Sequence, residues 1–281
     1  MLTLIAGGGL GNQLFQYAAA RAQAIRLGVD LEIDTRFYIR ENDGKPKGFW
    51  LDRLPIAAFV KRYPQTGRRS AHSLFQRVKR KVYDERRFTI YREPGLGFYA
   101  DFLDIKDDTI VYGLFQSYRY FIDCIDVIRI ETCLAPLTQD TLLDVDPSCH
   151  YAIHVRRSDY LSLHQFRMRD AERYYEEAIA RVRQDVPEAK FLVFSDDPQW
   201  CSSQRVFQDS CLIYEDPSTS DGADLSIMSQ CKGHIIANSS FSLWAALIHD
   251  SPEKLVIAPR VWIGGHTTRD LELIKPNWIT L

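Results

Sequence analysis

Residues 2–28 read LTLIAGGGLGNQLFQYAAARAQAIRLG. An apolar run from Leu2 to Ala6 meets a glycine cluster and then a helical pattern, which is how a strand–turn–helix unit begins. Leu14, Phe15, Ala18, Ala22 and Ile25 recur on one helical face, and Gly28 reads as the stop. The glycine spacing argues against a dinucleotide turn. Counted from Gly7, Asn12 stands where a third glycine normally lets the helix pack closely on the strand; counted from Gly9, Leu14 stands there. One feature keeps an NAD site open as an alternative: LEID ends a second strand and sets Asp34 where a ribose-binding acid could stand. N–H groups at the helix start could meet an anion or a polar ligand. The turn as scaffolding alone is the other reading.

The totals narrow the class. A chain of 281 residues suits one large or two moderate domains. Its 46% hydrophobic and 26% charged residues are those of an ordinary globular protein, and a formal charge of −2 gives no case for nucleic-acid binding. The chain opens directly on a strand pattern with no signal-peptide signature, and no apolar run approaches a membrane span. The six cysteines (124, 133, 149, 201, 211 and 231) are scattered, with no Cys-x-x-Cys pair and no His at zinc spacing. That pattern predicts free thiols in a cytoplasmic protein.

Outward from the opening, the chain reads as strand 2–6, helix 12–27, strand 30–34 and a polar loop at 41–48, ENDGKPKG. Residues 68–87, RRSAHSLFQRVKRKVYDERR, combine clustered charge with Leu74, Val78 and Val82 at helical spacing. They read either as a solvated surface helix or as a patch facing an anionic membrane or a phosphate-bearing acceptor, peripheral at the inner membrane. A strand at 109–115, TIVYGLF, and a helix over Tyr120–Leu134 follow. The polar stretch 135–150, with Pro136 and Pro147, sets a domain boundary: 1–146 and 147–281.

After it, strands YAIHV, KFLVFS, CLIY, GHIIAN and KLVIAP alternate with helices near Ala171–Arg183, at DDPQW, over ADLSIMSQC and over SFSLWAALI. This rhythm predicts an α/β fold with a parallel, doubly wound sheet, whose ligand sits at the carboxyl ends of the strands. Those ends carry HVRRSDY (154–160), FSDDP (194–198) and ANSSFS (237–242). His154, Arg156, Arg157 and Asp159 arrive as the first strand ends. Arginines beside serine hydroxyls at a helix start suit a phosphate, although surface ion pairing and simple N-capping by Ser239 or Ser240 explain the same residues.

GGGLGNQLFQYA near the start, HVRRSDY in the middle and ADLSIMSQCKGHIIANSSFSLWAALI late together resemble the bacterial alpha-1,2-fucosyltransferases, within a superfamily that includes alpha-1,6- and protein O-fucosyltransferases. The family often has Gly before the Asp-Tyr pair, where this chain has Ser158. The resemblance implies a GT-B-like glycosyltransferase of two Rossmann-like domains with parallel sheets facing across a cleft. GDP-fucose would lie on the C-terminal domain, and a galactose-containing glycan acceptor mainly on the N-terminal one. It implies inverting transfer from GDP-beta-L-fucose, most often to O-2 of galactose, with no cofactor and no essential metal. Matched by position, Arg156 and Arg157 would neutralise the diphosphate and His154 would line the nucleotide site. Asp224 would meet guanine, and Asn238, Ser239, Ser240 and Ser242 would lie along the phosphate motif. Gly11, Asn12 and Gln13 would reach the cleft from the other domain.

The chemistry fits these residue types. Charge grows on the departing phosphate, and fixed cations stabilise it. The acceptor hydroxyl needs a base, for which Asp159 is the candidate; orienting an arginine is its alternative role. Asp144-Val145-Asp146 spells a metal-binding triplet, but on the linker. An NAD-dependent oxidoreductase and a non-catalytic sugar-nucleotide or glycan-binding module are the rival readings.

Overall fold

The computed structural model describes residues 1–38, 48–61, 88–134, 145–168, 170–208, 211–214, 221–249 and 251–281. The chain divides into two compact units, Met1–Thr132 and Cys133–Leu281. The boundary read from the sequence, 146/147, lies beyond residues 135–144, which fall outside the described ones.

In the first unit, β1 (Leu2–Ile5), β2 (Leu31–Asp34), β3 (Phe59–Lys61), β4 (Thr89–Arg92) and β5 (Thr109–Tyr112) form a parallel sheet in the order β3-β2-β1-β5-β4. β1 is buried at every position, Thr3 included, as a central parallel strand covered on both faces must be. The chain runs from β1 out through β2 and β3, then returns on the other side of β1 with β5. A topological switch therefore lies at the carboxyl ends of β1 and β5.

Helix α1 (Leu10–Leu27) starts ahead of the expected residue 12 and ends on Gly28, whose left-handed backbone (φ 65°) lets its N–H reach Ala24 O and Ile25 O. Its burial is wider than one apolar stripe. Gln13, Gln16 and Gln23 are buried, while Ile25 is 36% exposed. The helix is covered on two sides: the sheet lies on one, and an irregular stretch lies on the other. There Gln23 Nε2 donates to Leu103 O (3.1 Å), Arg26 Nη2 donates to Tyr120 O (2.8 Å), and Phe15 packs on Phe121.

The helix expected over Tyr120–Leu134 is shorter. Tight 3₁₀ turns occupy Tyr118–Tyr120 and Ile122–Cys124, and α2 spans only Ile125–Glu131. Tyr120 and Phe121 are wholly buried, and Phe121 leaves helical geometry (φ −141°, ψ 7°) to reach the core.

The second unit holds β6 (Tyr151–Val155), β7 (Phe191–Ser195), β8 (Cys211–Ile213), β9 (Gly233–Ile235), β10 (Val256–Ala258) and β13 (Ile279–Thr280), parallel in the order β13-β10-β9-β6-β7-β8. A short antiparallel pair, β11 (Val261–Ile263) and β12 (His266–Thr267), precedes β13. The helices are α3 (Ala171–Asp185), α4 (Pro198–Ser203), α5 (Asp221–Ser229) and α6 (Ser240–Ile248). α3 buries Tyr174, Tyr175, Ala178, Ile179 and Val182 against the sheet, and the Tyr174 hydroxyl donates to Ile236 O (2.7 Å). Here too the chain leaves β6 toward β7 and β8 and returns beside β6 with β9. Each unit is thus a Rossmann-like parallel α/β layer with its own switch point.

Candidate functional site

The switch point of the second unit gathers the carboxyl ends of β6, β7 and β9. Arg156 leaves β6 and donates through Nε and Nη2 to Asp159 Oδ1 (3.1 and 2.8 Å), and its Nε lies 3.2 Å from Asp196 Oδ2 at the end of β7. Arg157 donates its backbone N–H to Asp196 Oδ1 (2.8 Å) and Nε–H to Asp197 Oδ2 (3.0 Å). The Arg157 guanidinium also lies 3.9 Å over the Trp200 ring. Asp197 caps α4 through Trp200 N (3.1 Å), whereas Asp196 serves the arginines. Among the described residues these contacts use Nε and Nη2 of Arg156 and Nε of Arg157. Nη1 of Arg156 and both terminal nitrogens of Arg157 keep N–H groups to donate. Asp159 receives both Arg156 bonds on Oδ1.

The residues from β9 are placed differently from one another. Ser239 caps α6, its Oγ accepting from Phe241 N (3.4 Å), and Ser240 opens the helix. Ser242 is fully buried and its Oγ lies 2.8 Å from His154 Nδ1. His154 is itself buried; burial, with Arg156 adding to it, pushes its pKa down to about 3, so the ring is neutral. His154 and Ser242 therefore partner each other in the core beneath the arginines. Asn238 acts as a strap. Its Nδ2 donates to Phe166 O (2.8 Å) after β6 and to Trp262 O (2.9 Å) after β10, while its own carbonyl accepts from the Tyr160 hydroxyl (3.3 Å). The loop after β6 and the β11 segment so strapped wall a cavity of about 460 Å³ lined in part by His164, Arg167 and Arg260. Asp224 lies half-buried in the first turn of α5.

In the first unit, Gly11, Asn12 and Gln13 form the first turn of α1. Gln13 Nε2 donates to Gly8 O and Gly48 O (3.1 Å each), and its Oε1 accepts from Trp50 N (2.8 Å). Asn12 Oδ1 accepts from Gln116 Nε2 (2.7 Å). Gly8 is required here: its φ is +82°, and a Cβ on it would stand 2.7 Å from Asn12 Nδ2. The turn thus seats Asn12 and Gln13. The NAD alternative loses its acid, because Asp34 is wholly buried and pairs with Arg36 Nη2 (2.6 Å) and Arg36 N (2.9 Å).

The strand expected through Phe115 ends at Tyr112. Glu93 draws the next residues into a turn, accepting from Leu114 N (2.7 Å) and Phe115 N (3.0 Å), with Phe115 at φ +50°. Sequence reasoning placed Asp196 and Asp197 as a helix cap beside the nucleotide and Tyr160 within HVRRSDY, but it did not single out the partner roles of Gln116, Glu93 and Trp200. For Trp200 the signal was DDPQW at a strand end; for Gln116 and Glu93 there was none.

Among the described residues, no group of three or more His, Cys, Asp or Glu is placed to hold a metal. Asp146 instead accepts from Ser148 N (2.9 Å), and Asp144 lies outside the described residues. Among the described helices none is long and apolar enough to cross a membrane. The basic segment 68–87 lies outside the described residues. All six cysteines are free thiols.

The model of glycosyl transferase family 11 matches residues 85–281. The chain is 26% identical to an alpha-1,2-colitosyltransferase of Escherichia coli, over 98% of this chain and 96% of that one. It is 28% identical to the O-antigen biosynthesis glycosyltransferase WbnK of Escherichia coli, over 98% of each. Among solved structures it is similar to the fucosyltransferase NodZ from Bradyrhizobium, with 17% identity, a TM-score of 0.49, and 88% and 93% of the two chains covered.

Proposed function

This chain belongs to glycosyl transferase family 11, the alpha-1,2-fucosyltransferase family, and from that premise we propose that it moves L-fucose from GDP-beta-L-fucose to O-2 of a galactose in a glycan. Transfer inverts the anomeric centre and needs no metal. The donor is held by the second unit and the acceptor chiefly by the first. The observation that carries this reading is the arginine pair at the β6 switch point. Nη1 of Arg156 and both terminal nitrogens of Arg157 keep donors at the carboxyl end of β6, next to β9, after which α6 begins with a dipole that also favours an anion.

In the step proposed, the acceptor oxygen bonds to the anomeric carbon as the bond to the β-phosphate oxygen breaks. The electron pair goes to that oxygen, where Arg156 and Arg157 meet the growing charge. The acceptor proton goes to Asp159 Oδ2, the oxygen that Arg156 does not engage. Two carboxylates, Asp196 and Asp197, hold the guanidiniums in place before the donor arrives.

The similarity to an alpha-1,2-colitosyltransferase favours a second donor, since colitose is fucose without its 3-hydroxyl. One experiment covers both. GDP-fucose and GDP-colitose are incubated with terminal-galactose glycans in EDTA, and GDP release and product linkage are read. An alpha-1,2-linked product from GDP-fucose supports the proposal. Turnover of GDP-colitose alone would transfer it to the second donor, and activity that only manganese or magnesium restores would end the metal-free mechanism.

A further inference from the structure

The cavity between the loop after β6 and the β11 segment measures about 460 Å³, room enough for a sugar ring with a charged substituent. Its walls are tied to each other without a ligand. Asn238 Nδ2 donates to Phe166 O (2.8 Å) and Trp262 O (2.9 Å), and Gly264 N donates to Gln165 O (2.9 Å). A cavity braced in this way loses little freedom when it is filled.

The polar groups in the lining fall into two sets. Asn238 spends its amide hydrogens on the two walls, and the Tyr174 hydroxyl donates to Ile236 O (2.7 Å). The others have hydrogens to give and no protein acceptor. Trp262 is only 2% exposed, yet its indole N–H makes no hydrogen bond among the described residues and keeps contact with solvent. A buried N–H ordinarily has a partner. The guanidiniums of Arg167 and Arg260 likewise make no hydrogen bond, ion pair or ring stack among the described residues.

Indole and guanidinium groups donate and never accept, so they call for a ligand that accepts. The charge balance makes that ligand an anion. No side-chain carboxylate lines the cavity among the described residues. Leu281 stands on the wall with its backbone oxygen accepting from Arg260 N (2.6 Å), and a terminal carboxylate there offsets at most one guanidinium charge.

The arginine pair at the switch point belongs to a different place. Arg156 and Arg157 reach Asp196 and Asp197 at the end of β7, on the opposite side of β6 from β9 and β10, and neither lines the cavity. Between the two places stands Tyr160, its hydroxyl on Asn238 O (3.3 Å) and its ring 5.6 Å from the Arg156 guanidinium.

We propose that this cavity is a second oxyanion site, which takes a phosphate or carboxylate group on Arg167, Arg260 and the Trp262 N–H. Its place beside the arginine pair suits an anionic substituent on the acceptor glycan. That source rests on the glycosyl-transfer reading given above; the site itself does not.

The test uses the full chain with saturating GDP, so that the arginine pair is occupied. Inorganic phosphate is titrated at low salt by calorimetry into wild type, Arg167→Gln, Arg260→Gln and Trp262→Phe. KM is then measured for a terminal-galactose glycan and for the same glycan carrying a carboxylate. Both arginines are exposed, so their replacement should leave Tm in place. The GDP complex of wild type should bind phosphate, and each arginine variant should bind it about tenfold more weakly or worse, the scale of one charge-assisted hydrogen bond. The preference for the carboxylated glycan, read as the ratio of the two KM values, should fall by a similar factor. A change in phosphate affinity alone assigns the site to a free anion, and a change in glycan preference alone assigns it to the acceptor. Equal phosphate affinity and equal glycan preference in wild type and both arginine variants would overturn the site, as would displacement of the phosphate by GDP. Absence of transfer to either glycan would count against the proposed function instead, and the phosphate titration would still decide the cavity.

Discussion

Replacing Arg157 by Lys separates holding the donor from assisting its departure. In the structure, Arg157 is fixed on two sides, by Asp197 at 3.0 Å and by the Trp200 ring at 3.9 Å, which leaves both terminal nitrogens directed by a rigid plane. A lysine keeps the charge, but as a point on a flexible stem, and it cannot pair with Asp197 while presenting two parallel donors. Losing one preorganised donor where charge develops costs about 2.7–4 kcal/mol of barrier, or about 10²–10³ in kcat. The ground-state price is smaller. The Arg157–Asp197 pair is partly solvent-exposed and contributes about 0–1 kcal/mol, and the stack about 0.5–1 kcal/mol, so Tm should fall by no more than about 8 °C. Steady-state kinetics with varied GDP-fucose should show kcat falling by about two to three orders of magnitude, with a smaller rise in donor KM. A kcat within about threefold of wild type, with donor KM unchanged, would refute the reasoning and leave the arginine pair as surface ion pairing.

Ser242→Ala should lower stability by about 1–3 kcal/mol, because the buried His154 ring loses the partner of its Nδ1. A urea midpoint equal to wild type, together with a raised donor KM, would mean that Ser242 faces the donor instead. Gly8→Ala should cost about 1–2 kcal/mol from the left-handed backbone alone and should displace Asn12 from Gln116, read as a lower Tm and a raised acceptor KM. For residues 68–87, which carry clustered Lys and Arg with Leu74, Val78 and Val82, co-sedimentation with anionic vesicles should be strong at low salt and weak at high salt. Equal, negligible binding in both would leave the solvated-helix reading.

The parallel α/β plan of both units was legible because periodicity reports burial. β1, β6 and β7 are apolar runs, and the helices between strands repeat at helical spacing. The positions of Arg156, Arg157 and Asp159 followed from the strand they terminate. What periodicity cannot report is where a buried polar group finds its partner. Gln13, Gln16 and Gln23 look like polar interruptions of α1, yet each amide closes onto backbone from a distant segment. Nothing in the sequence joins Glu93 to Leu114 and Phe115, since that turn exists only once β4 and β5 pair. His154 and Ser242 were placed by position alone, and the contact between them across β6 and α6 is one that periodicity does not report. The strand pairs near the end were missed because β12 and β13 are two residues long, too short for any pattern.

The double donation by Asn238 reaches beyond the site itself. Loops that grow from different strands are ordinarily free to diverge, each adapting its length and chemistry alone. Here one amide ties the backbone at Phe166 to the backbone at Trp262. The two segments are therefore coupled: a graft that replaces residues 163–168 strands the amide unless it restores a carbonyl at the same place. Any effort to rebuild this part of the fold must exchange both segments together, or begin by replacing Asn238.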